Sequence, residues 1–268
     1  MKESFYGAFN QVECNSQLDL YVEEIKTNGF TVIEEVLTKK ELEKYRIKID
    51  ETYLKQENDF GSEELNSIKE KDMCRMPLKY DDYFINIATN NVVLEIAKRF
   101  LGEFYILGLQ NAIINMPNEV HHQSSWHRDL PYQNFTISKP ISINALFCID
   151  DFSIETGGTT VVPYTHKMEV LPSDEYLQKH AVTAIAEAGS VIVFDSMLFH
   201  KAGYNSSNII RRAVNHLYQI PILKQFYDFP KALNGKFSGN IFLKQLLGYT
   251  SQTPLDDVKW RENRINKL

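Results

Sequence analysis

After Gly102 the chain becomes a series of short β-prone runs, and this limits the folds open to it more than any other feature. Residues 105–116, 141–149, 159–162, 190–194 and 213–220 are rich in β-branched and aromatic side chains and are bounded by Gly, Pro, Asn or Asp. Such residues fit a pleated, buried surface, and the bounding residues fit turns. Before Gly102 the pattern is helical. Residues 18–26 form a helix that Asn28-Gly29 ends as a C-cap, residues 30–33 form a short strand, and Thr38-Lys39-Lys40-Glu41 is a capping box opening a second helix. Leu42, Tyr45, Ile49 and Tyr53 follow at helical spacing, and residues 91–101 make a further helix stopped by Gly102. Helices followed by many strands predict a β-barrel or sandwich braced by N-terminal helices. With no internal repeat and no linker, the 268 residues are expected to form one domain: N-terminal helices over 1–102, a β-barrel core over 103–220 and a helical segment over 221–268. The polar stretch 56–72, with Gly61-Ser62 inside it, predicts a surface loop long enough to serve as a lid.

Charge and cysteine usage remove several classes of function. The net charge is −6 with Lys and Arg scattered, so no basic stretch tracks a phosphate backbone and nucleic acid is not an expected partner. No run approaches the roughly 20 apolar residues of a membrane span. Met1-Lys2-Glu3-Ser4-Phe5-Tyr6 lacks the apolar region of a secretory signal. Cys14, Cys74 and Cys148 are odd in number, far apart and form no CxxC pair, which argues against a disulfide framework or a thiolate zinc site. A cytoplasmic location is the resulting expectation. A homo-oligomer is compatible with the sequence but not required by it.

Two short segments carry chemistry. His127 and Asp129 lie in Ser125-Trp126-His127-Arg128-Asp129, and a spacing of two puts both side chains on one face of an extended strand. His200 ends a hydrophobic run beginning at Gly189 that could lie opposite them. Two His and one carboxylate on one face leave three positions open on a divalent metal, the ligand set of non-haem Fe(II) oxygenases. Downstream, Arg211 opens a strand from which a guanidinium can hold a carboxylate in a bidentate pair.

In combination these residues resemble the phytanoyl-CoA dioxygenase family of 2-oxoglutarate oxygenases. Four stretches carry the likeness, within residues 17 to 220. They are Glu24-Ile25-Lys26-Thr27-Asn28-Gly29-Phe30-Thr31-Val32-Ile33, Trp126-His127-Arg128-Asp129, Gly157-Gly158-Thr159-Thr160-Val161-Val162-Pro163-Tyr164-Thr165-His166-Lys167, and the segment from His200 to Arg211. The resemblance implies a mainly β fold with flanking α, a double-stranded β-helix (a jelly-roll, cupin-like barrel) with the metal at its mouth. It implies His127, Asp129 and His200 as iron ligands and Arg211 as the clamp on the distal carboxylate of 2-oxoglutarate. Gln110, Asn205 and Thr160 match further positions near the co-substrate. The implied cofactor is Fe(II), with 2-oxoglutarate as co-substrate and O2 as oxidant. The implied reaction is hydroxylation of a small-molecule metabolite with release of succinate and CO2.

Departures from the family pattern sharpen these expectations. Tyr164-Thr165 replaces the usual Gly-Ser before His166, which bears on the substrate more than on the chemistry. Asp129 stands where related halogenases carry a small residue, which favours hydroxylation. Arg211 is followed by Arg212, and the two point to opposite faces of a strand, so only one can face the metal. Trp126 is expected to brace His127, and His166 to be structural. His121 and His122 read as solvated loop residues, with substrate binding as the minority alternative, and Tyr132 and Phe135 as candidate pocket lining. Two rival readings stand beside the oxygenase: a catalytically silent binding protein of the same fold, and a cupin-like metal enzyme that does not use 2-oxoglutarate.

Overall fold

The computed structural model describes residues 11–130 and 136–265. The chain opens with helix α1 (Gln17–Asn28), capped by the Ser16 side chain and closed by Gly29 at φ 93°. A Cβ at Gly29 would lie 2.6 Å from Leu198 and 2.7 Å from the His166 ring, so the glycine serves a close approach as well as the left-handed turn. Strand β1 (Phe30–Ile33) follows, then α2 (Lys39–Phe60), which starts with the Thr38–Glu41 capping box and buries Leu42, Tyr45, Ile49 and Tyr53.

The expected loop at 56–72 is not a loop. Helix α2 continues to Phe60, a second short helix α3 (Ser62–Ser67) follows, and the segment leads into β2 (Met73–Arg75). Its polarity reflects an exposed helical face rather than an absence of structure. Leu65 is buried, the Tyr53 hydroxyl accepts from the Asp72 N–H at 3.0 Å, and the Gln56 side chain accepts from the Arg75 N–H at 2.9 Å.

Next come α4 (Phe84–Ala88), α5 (Asn91–Leu101), β3 (Ile106–Asn115), β4 (Ser142–Cys148), β5 (Thr160–Val161), α6 (Asp174–His180), β6 (Val182–Thr183), β7 (Val191–Asp195), β8 (His200–Lys201) and β9 (Arg211–Gln219). Helices α7 (Phe229–Leu233), α8 (Ile241–Leu246) and α9 (Asp257–Ile265) end the described chain. The strands form two antiparallel sheets: a large one in the order β1-β7-β4-β9-β3-β2 and a small one in the order β6-β5-β8. The N-terminal region is therefore more than a helical brace, because β1 and β2 supply both edges of the large sheet.

The large sheet is covered on both faces, which explains why its strands read as nearly continuous apolar runs. One face carries Ala112, Ile114, Ile143, Ala145, Phe147, Val191, Val193, Val214 and Tyr218 and packs on Ile25, Tyr45, Ile49, Phe84, Val93, Ile96, Phe229 and Leu246 from the helices. The other carries Ile113, Leu146, Cys148, Ile192, Phe194 and Ala213, and faces Val161, Ala184 and Leu198 towards the small sheet. Residue parity on a strand thus decides whether a side chain meets the helices or the space between the sheets. Among the described residues, no helix is long and apolar enough to cross a membrane.

Candidate metal centre

The hydrophobic run that ends in His200 does not continue straight to it. Strand β7 stops at Asp195, and a turn stabilised by the Leu198 N–H on the Asp195 carbonyl (2.8 Å) carries the chain from the large sheet to the small one. There His200 pairs with β5 on one side and with His127 on the other. His127 and His200 exchange both backbone hydrogen bonds at 3.0 Å, which places their side chains together, and the Asp129 N–H reaches the Ser196 carbonyl at 3.2 Å. Directly paired residues on adjacent strands share a face, and so do residues two apart on one strand. These two rules bring the three side chains to one point.

The donor atoms are poised without clashing. Asp129 Oδ1 lies 3.8 Å from His127 Nε2 and 3.6 Å from His200 Nε2, and the candidate ligand atoms all fall within 4.8 Å of one another. Each imidazole is oriented from behind: His127 Nδ1 lies 2.8 Å from the Ser125 carbonyl and His200 Nδ1 3.0 Å from the Leu198 carbonyl. A carbonyl can only accept, so both Nδ1 atoms carry the proton and both Nε2 lone pairs point at the shared space. Burial lowers the His200 pKa, which favours the neutral, ligating form. Asp129 Oδ2 is buried without a hydrogen-bond partner. An orphaned carboxylate oxygen beside two free imidazole lone pairs fits a bound divalent cation better than it fits a closed polar cluster.

Arg128, between two of these side chains, turns the other way. Its guanidinium donates to the carbonyls of Met197 (2.7 Å), Thr165 (3.1 Å), Glu169 (3.2 Å) and Met168, and it stacks 3.9 Å from the Phe199 ring. It therefore ties the His127–Asp129 segment to the turn that delivers His200. Trp126 packs beside Val162, Leu177 and Phe199, and Lys201 Nζ sits 4.7 Å over its ring.

The cavity at the triad is also lined by Gln123, Thr159, Arg211 and Asn215. Arg211 is 2% exposed, its Nε is buried with no hydrogen-bond partner, and it forms no ion pair with a carboxylate among the described residues. Its only described companion of note is the Phe152 ring at 4.3 Å. Burial pushes its pKa down to about 10. Arg212, one residue on, lies on the opposite face, bidentate to Asp50 at 2.8 Å and 3.1 Å from Asp150. Strand parity separates the two arginines into one cation in ion pairs with Asp50 and Asp150 and one with no ion pair among the described residues.

Three further candidates do not reach the cavity. Gln110 sits on the helix-facing side of β3, where its side chain accepts from Leu78 N–H (3.0 Å), donates to Phe84 O (3.0 Å) and meets His216 Nε2 at 2.8 Å. Its hydrogen-bonding capacity is used there, and the pleat turns it away from the triad. Asn205 is fully buried, but it donates to the carbonyls of Asn115 and Ile209 (2.9 Å each) and shapes the loop between His200 and Arg211. Thr160 is half-buried on the wrong face of β5, and its neighbour Thr159 lines the cavity instead. Thr159, Asn215 and Gln123 were missed. Asn215 had a signal, since it is a polar residue four positions along the apolar strand from Arg211 and so on the same face.

Among the other histidines, His166 has a structural place as expected, whereas His121 and His122 differ from expectation. His166 is buried, with Nε2 3.1 Å from the Lys26 carbonyl at the end of α1, away from the metal ligands. His121 is 7% exposed rather than solvated, and His122 is half-buried beside it. Tyr132 and Phe135 lie outside the described residues.

Taken together, the two antiparallel sheets hold a His–Asp–His centre with, in the same cavity, a buried arginine that has no carboxylate partner among the described residues. The family model described as phytanoyl-CoA dioxygenase (PhyH) matches residues 25–213. The chain belongs to this family. An uncharacterised protein of Mycobacterium tuberculosis is 35% identical over 262 residues, which cover 92% of this chain and 93% of that one. The peroxisomal phytanoyl-CoA dioxygenase of Homo sapiens is 23% identical over 78% of this chain and 69% of its own length. Among solved structures, the epimerase SnoN in complex with Fe3+, alpha ketoglutarate and nogalamycin RO superposes with a TM-score of 0.57 at 16% identity, covering 76% of this chain and 84% of that one. EvdMO1 superposes with a TM-score of 0.60 at 18% identity, over 77% of this chain and 50% of that one.

Proposed function

We propose that this protein is an Fe(II)- and 2-oxoglutarate-dependent oxygenase that hydroxylates a small-molecule metabolite, its two sheets forming one double-stranded β-helix (jelly-roll) domain. The observation that carries the reading is Arg211. A buried guanidinium without a carboxylate of its own is costly, and it lies in the same cavity as three candidate metal ligands. A dicarboxylate co-substrate answers both features, with one end on the metal and the other on Arg211. Family membership supports the same assignment.

In this reading His127, Asp129 and His200 would hold the iron, which would also bind the co-substrate and O2. Bound iron would supply O2 activation coupled to decarboxylation of 2-oxoglutarate to succinate and CO2. The protein's own contributions are positional. Ser125 and Leu198 carbonyls fix the imidazole tautomers, Arg128 holds the two ligand-bearing segments together, and Arg211 orients the co-substrate carboxylate. Asp129, an intact third ligand, occupies the position that a halide would need, which favours hydroxylation.

The test is anaerobic. Fe(II) and then 2-oxoglutarate are added to purified protein, and the visible spectrum is recorded. A weak metal-to-ligand charge-transfer band is expected, and it should weaken in Arg211→Ala because the bidentate pair with the co-substrate is lost. Iron binding without the band would favour a cupin-like metal enzyme that does not use 2-oxoglutarate, and failure to bind iron would favour a silent binding protein.

A further inference from the structure

Asn215 shares the metal cavity with the triad and Arg211. It is half-buried, so its side chain keeps accessible surface on that space. Its register places it between the other two. Asn215 pairs with Leu146 on β4, and the next same-face residue of β4 is Asn144, whose partner on β7 is Phe194. The His200 ring packs 4.8 Å from the Phe194 ring. In the other direction, Ala213 separates Asn215 from Arg211 along the same face of β9. The order along the sheet is therefore metal ligand, Asn215, Arg211. A molecule reaching from the metal to Arg211 passes Asn215 next to its metal-bound end.

A buried relay sets which atom Asn215 offers. The Ser196 hydroxyl donates to Asn144 Oδ1 at 2.6 Å, and Asn144 Nδ2 donates to Asn215 Oδ1 at 3.2 Å. A separation of 2.6 Å suits O–H···O and is short for N–H···O, so the atom that Asn144 turns to Ser196 is its oxygen. Ser196 and Asn144 are fully buried, which keeps water from competing for these bonds. Asn215 Oδ1 is thus engaged as an acceptor, whereas Nδ2 makes no hydrogen bond among the described residues. What the residue has left to offer the cavity is a donor. The relay also touches the metal centre, because the Ser196 carbonyl accepts the Asp129 N–H at 3.2 Å.

We propose that Asn215 is a further anchor for the co-substrate, its amide N–H donating to the oxygens at the metal-bound end of 2-oxoglutarate while Arg211 holds the far carboxylate. The proposal rests on the oxygenase reading and adds a residue to it. A 2-oxo dicarboxylate carries only acceptor atoms, so a donor is its complement, and bonds to an ionised acceptor are the stronger kind. The wall around Asn215 is apolar, built from Ile113, Leu146 and Phe194, and a low local dielectric strengthens such a bond. The reversed amide would set an oxygen against the carboxylate and repel it.

The test compares wild type with Asn215→Leu and Asn215→Asp, both close to asparagine in shape. Mn(II) affinity without co-substrate should stay within a few-fold in both, since neither removes a ligand. With Fe(II) under anaerobic conditions, 2-oxoglutarate should bind about ten-fold more weakly to Asn215→Leu, and more weakly still to Asn215→Asp, where two carboxylates meet. At saturation the charge-transfer band of Asn215→Leu should lie at shorter wavelength than that of wild type, because a hydrogen bond to the metal-bound oxygens is lost; Arg211→Ala should change affinity and leave the band position alone. Pyruvate keeps the metal-binding end and lacks the far carboxylate, so its affinity should fall in Asn215→Leu and hold in Arg211→Ala. The proposal is overturned if both variants keep their Mn(II) affinity and bind 2-oxoglutarate as wild type does, or if the loss is seen with 2-oxoglutarate and not with pyruvate. A measurement on wild type decides if the variants do not fold. With isotope-labelled asparagine and Zn(II) at the triad, an asparagine side-chain amide that Mn(II) broadens should move downfield when pyruvate is added, and a resonance that stays in place overturns the proposal. A wild-type protein that binds Fe(II) and gives no band with 2-oxoglutarate sinks the oxygenase reading and the anchor together, whereas a normal wild-type band with unchanged variants removes Asn215 alone.

Discussion

Replacing Arg211 by methionine should make the cofactor-free protein more stable while abolishing its affinity for 2-oxoglutarate. The side chain is 2% exposed and has no carboxylate partner among the described residues. Holding its pKa at about 10, well below the usual range, corresponds to about 3 kcal/mol disfavouring the charged form. The Phe152 ring at 4.3 Å returns about 1–2 kcal/mol through cation–π attraction. Methionine keeps much of the stem volume and carries no charge, so the net gain should be about 1–2 kcal/mol, or roughly 3–6 °C in Tm for a chain of this size. The sign with pH follows from linkage. The folded-state value lies below the unfolded one, so the penalty applies in full at all pH values below about 10 and is released only as pH rises above it. The gain should therefore be flat across the neutral range. Differential scanning calorimetry on metal-free wild type and Arg211→Met measures it, and isothermal titration of 2-oxoglutarate into the Fe(II) forms under anaerobic conditions measures the loss. That loss should reach at least about 100-fold, because a bidentate pair with a buried charge disappears. A variant that melts several degrees lower would show Arg211 to be a structural residue. One that binds 2-oxoglutarate within a few-fold of wild type would remove the clamp from the mechanism.

Other substitutions separate the site from its supports. Gln110→Leu should leave 2-oxoglutarate affinity within a few-fold and cost about 2–4 kcal/mol in urea unfolding, since it strands the Leu78 N–H and the Phe84 carbonyl; a selective loss of co-substrate binding would restore Gln110 to the site. Arg128→Met should weaken metal affinity by about 10- to 100-fold, as loss of a group that orients ligands does, read by equilibrium dialysis against Mn(II); unchanged affinity would show the turn to be held without it. Arg212→Met should destabilise without touching the co-substrate, because it leaves Asp50 without its guanidinium and Asp150 with Arg46 alone; the same titration and melt decide. Asp195 has its pKa raised by burial to about 6, so the folded state binds an extra proton below that pH and gains stability as pH falls from about 6 towards the ordinary carboxylate range. Asp195→Asn should remove that part of the slope, measured as the difference between the two stability–pH curves, and identical slopes would refute it.

Much of this molecule is legible from neighbouring residues alone. The capping box at Thr38, the left-handed stop at Gly29 and the strand runs after Gly102 are set by local hydrogen bonding and side-chain shape, so sequence and structure agree on them. The pairing of His127 with Asp129 is of the same kind, because two-residue periodicity is a property of any extended strand. So is the division of labour between Arg211 and Arg212, although which of the two faces the metal depends on what covers each face of β9. That decision is tertiary. Helices bearing Asp50 cover one face and the small sheet covers the other, so one arginine acquires acidic partners and its neighbour does not. The same cause removed Gln110 and Thr160 from the cavity and put Thr159 and Asn215 in it, since a shift of one residue reverses the face. The segment 56–72 is a different case. Its polarity was visible, but polarity alone does not separate an exposed helix from a loop, and only the packing of Leu65 and the bonds from Tyr53 and Gln56 hold it in place. His121 and Asn115 show the limit most clearly. Nothing in the local sequence marks His121 as buried, and the unpartnered atoms of both residues exist only because distant strands and loops close around them.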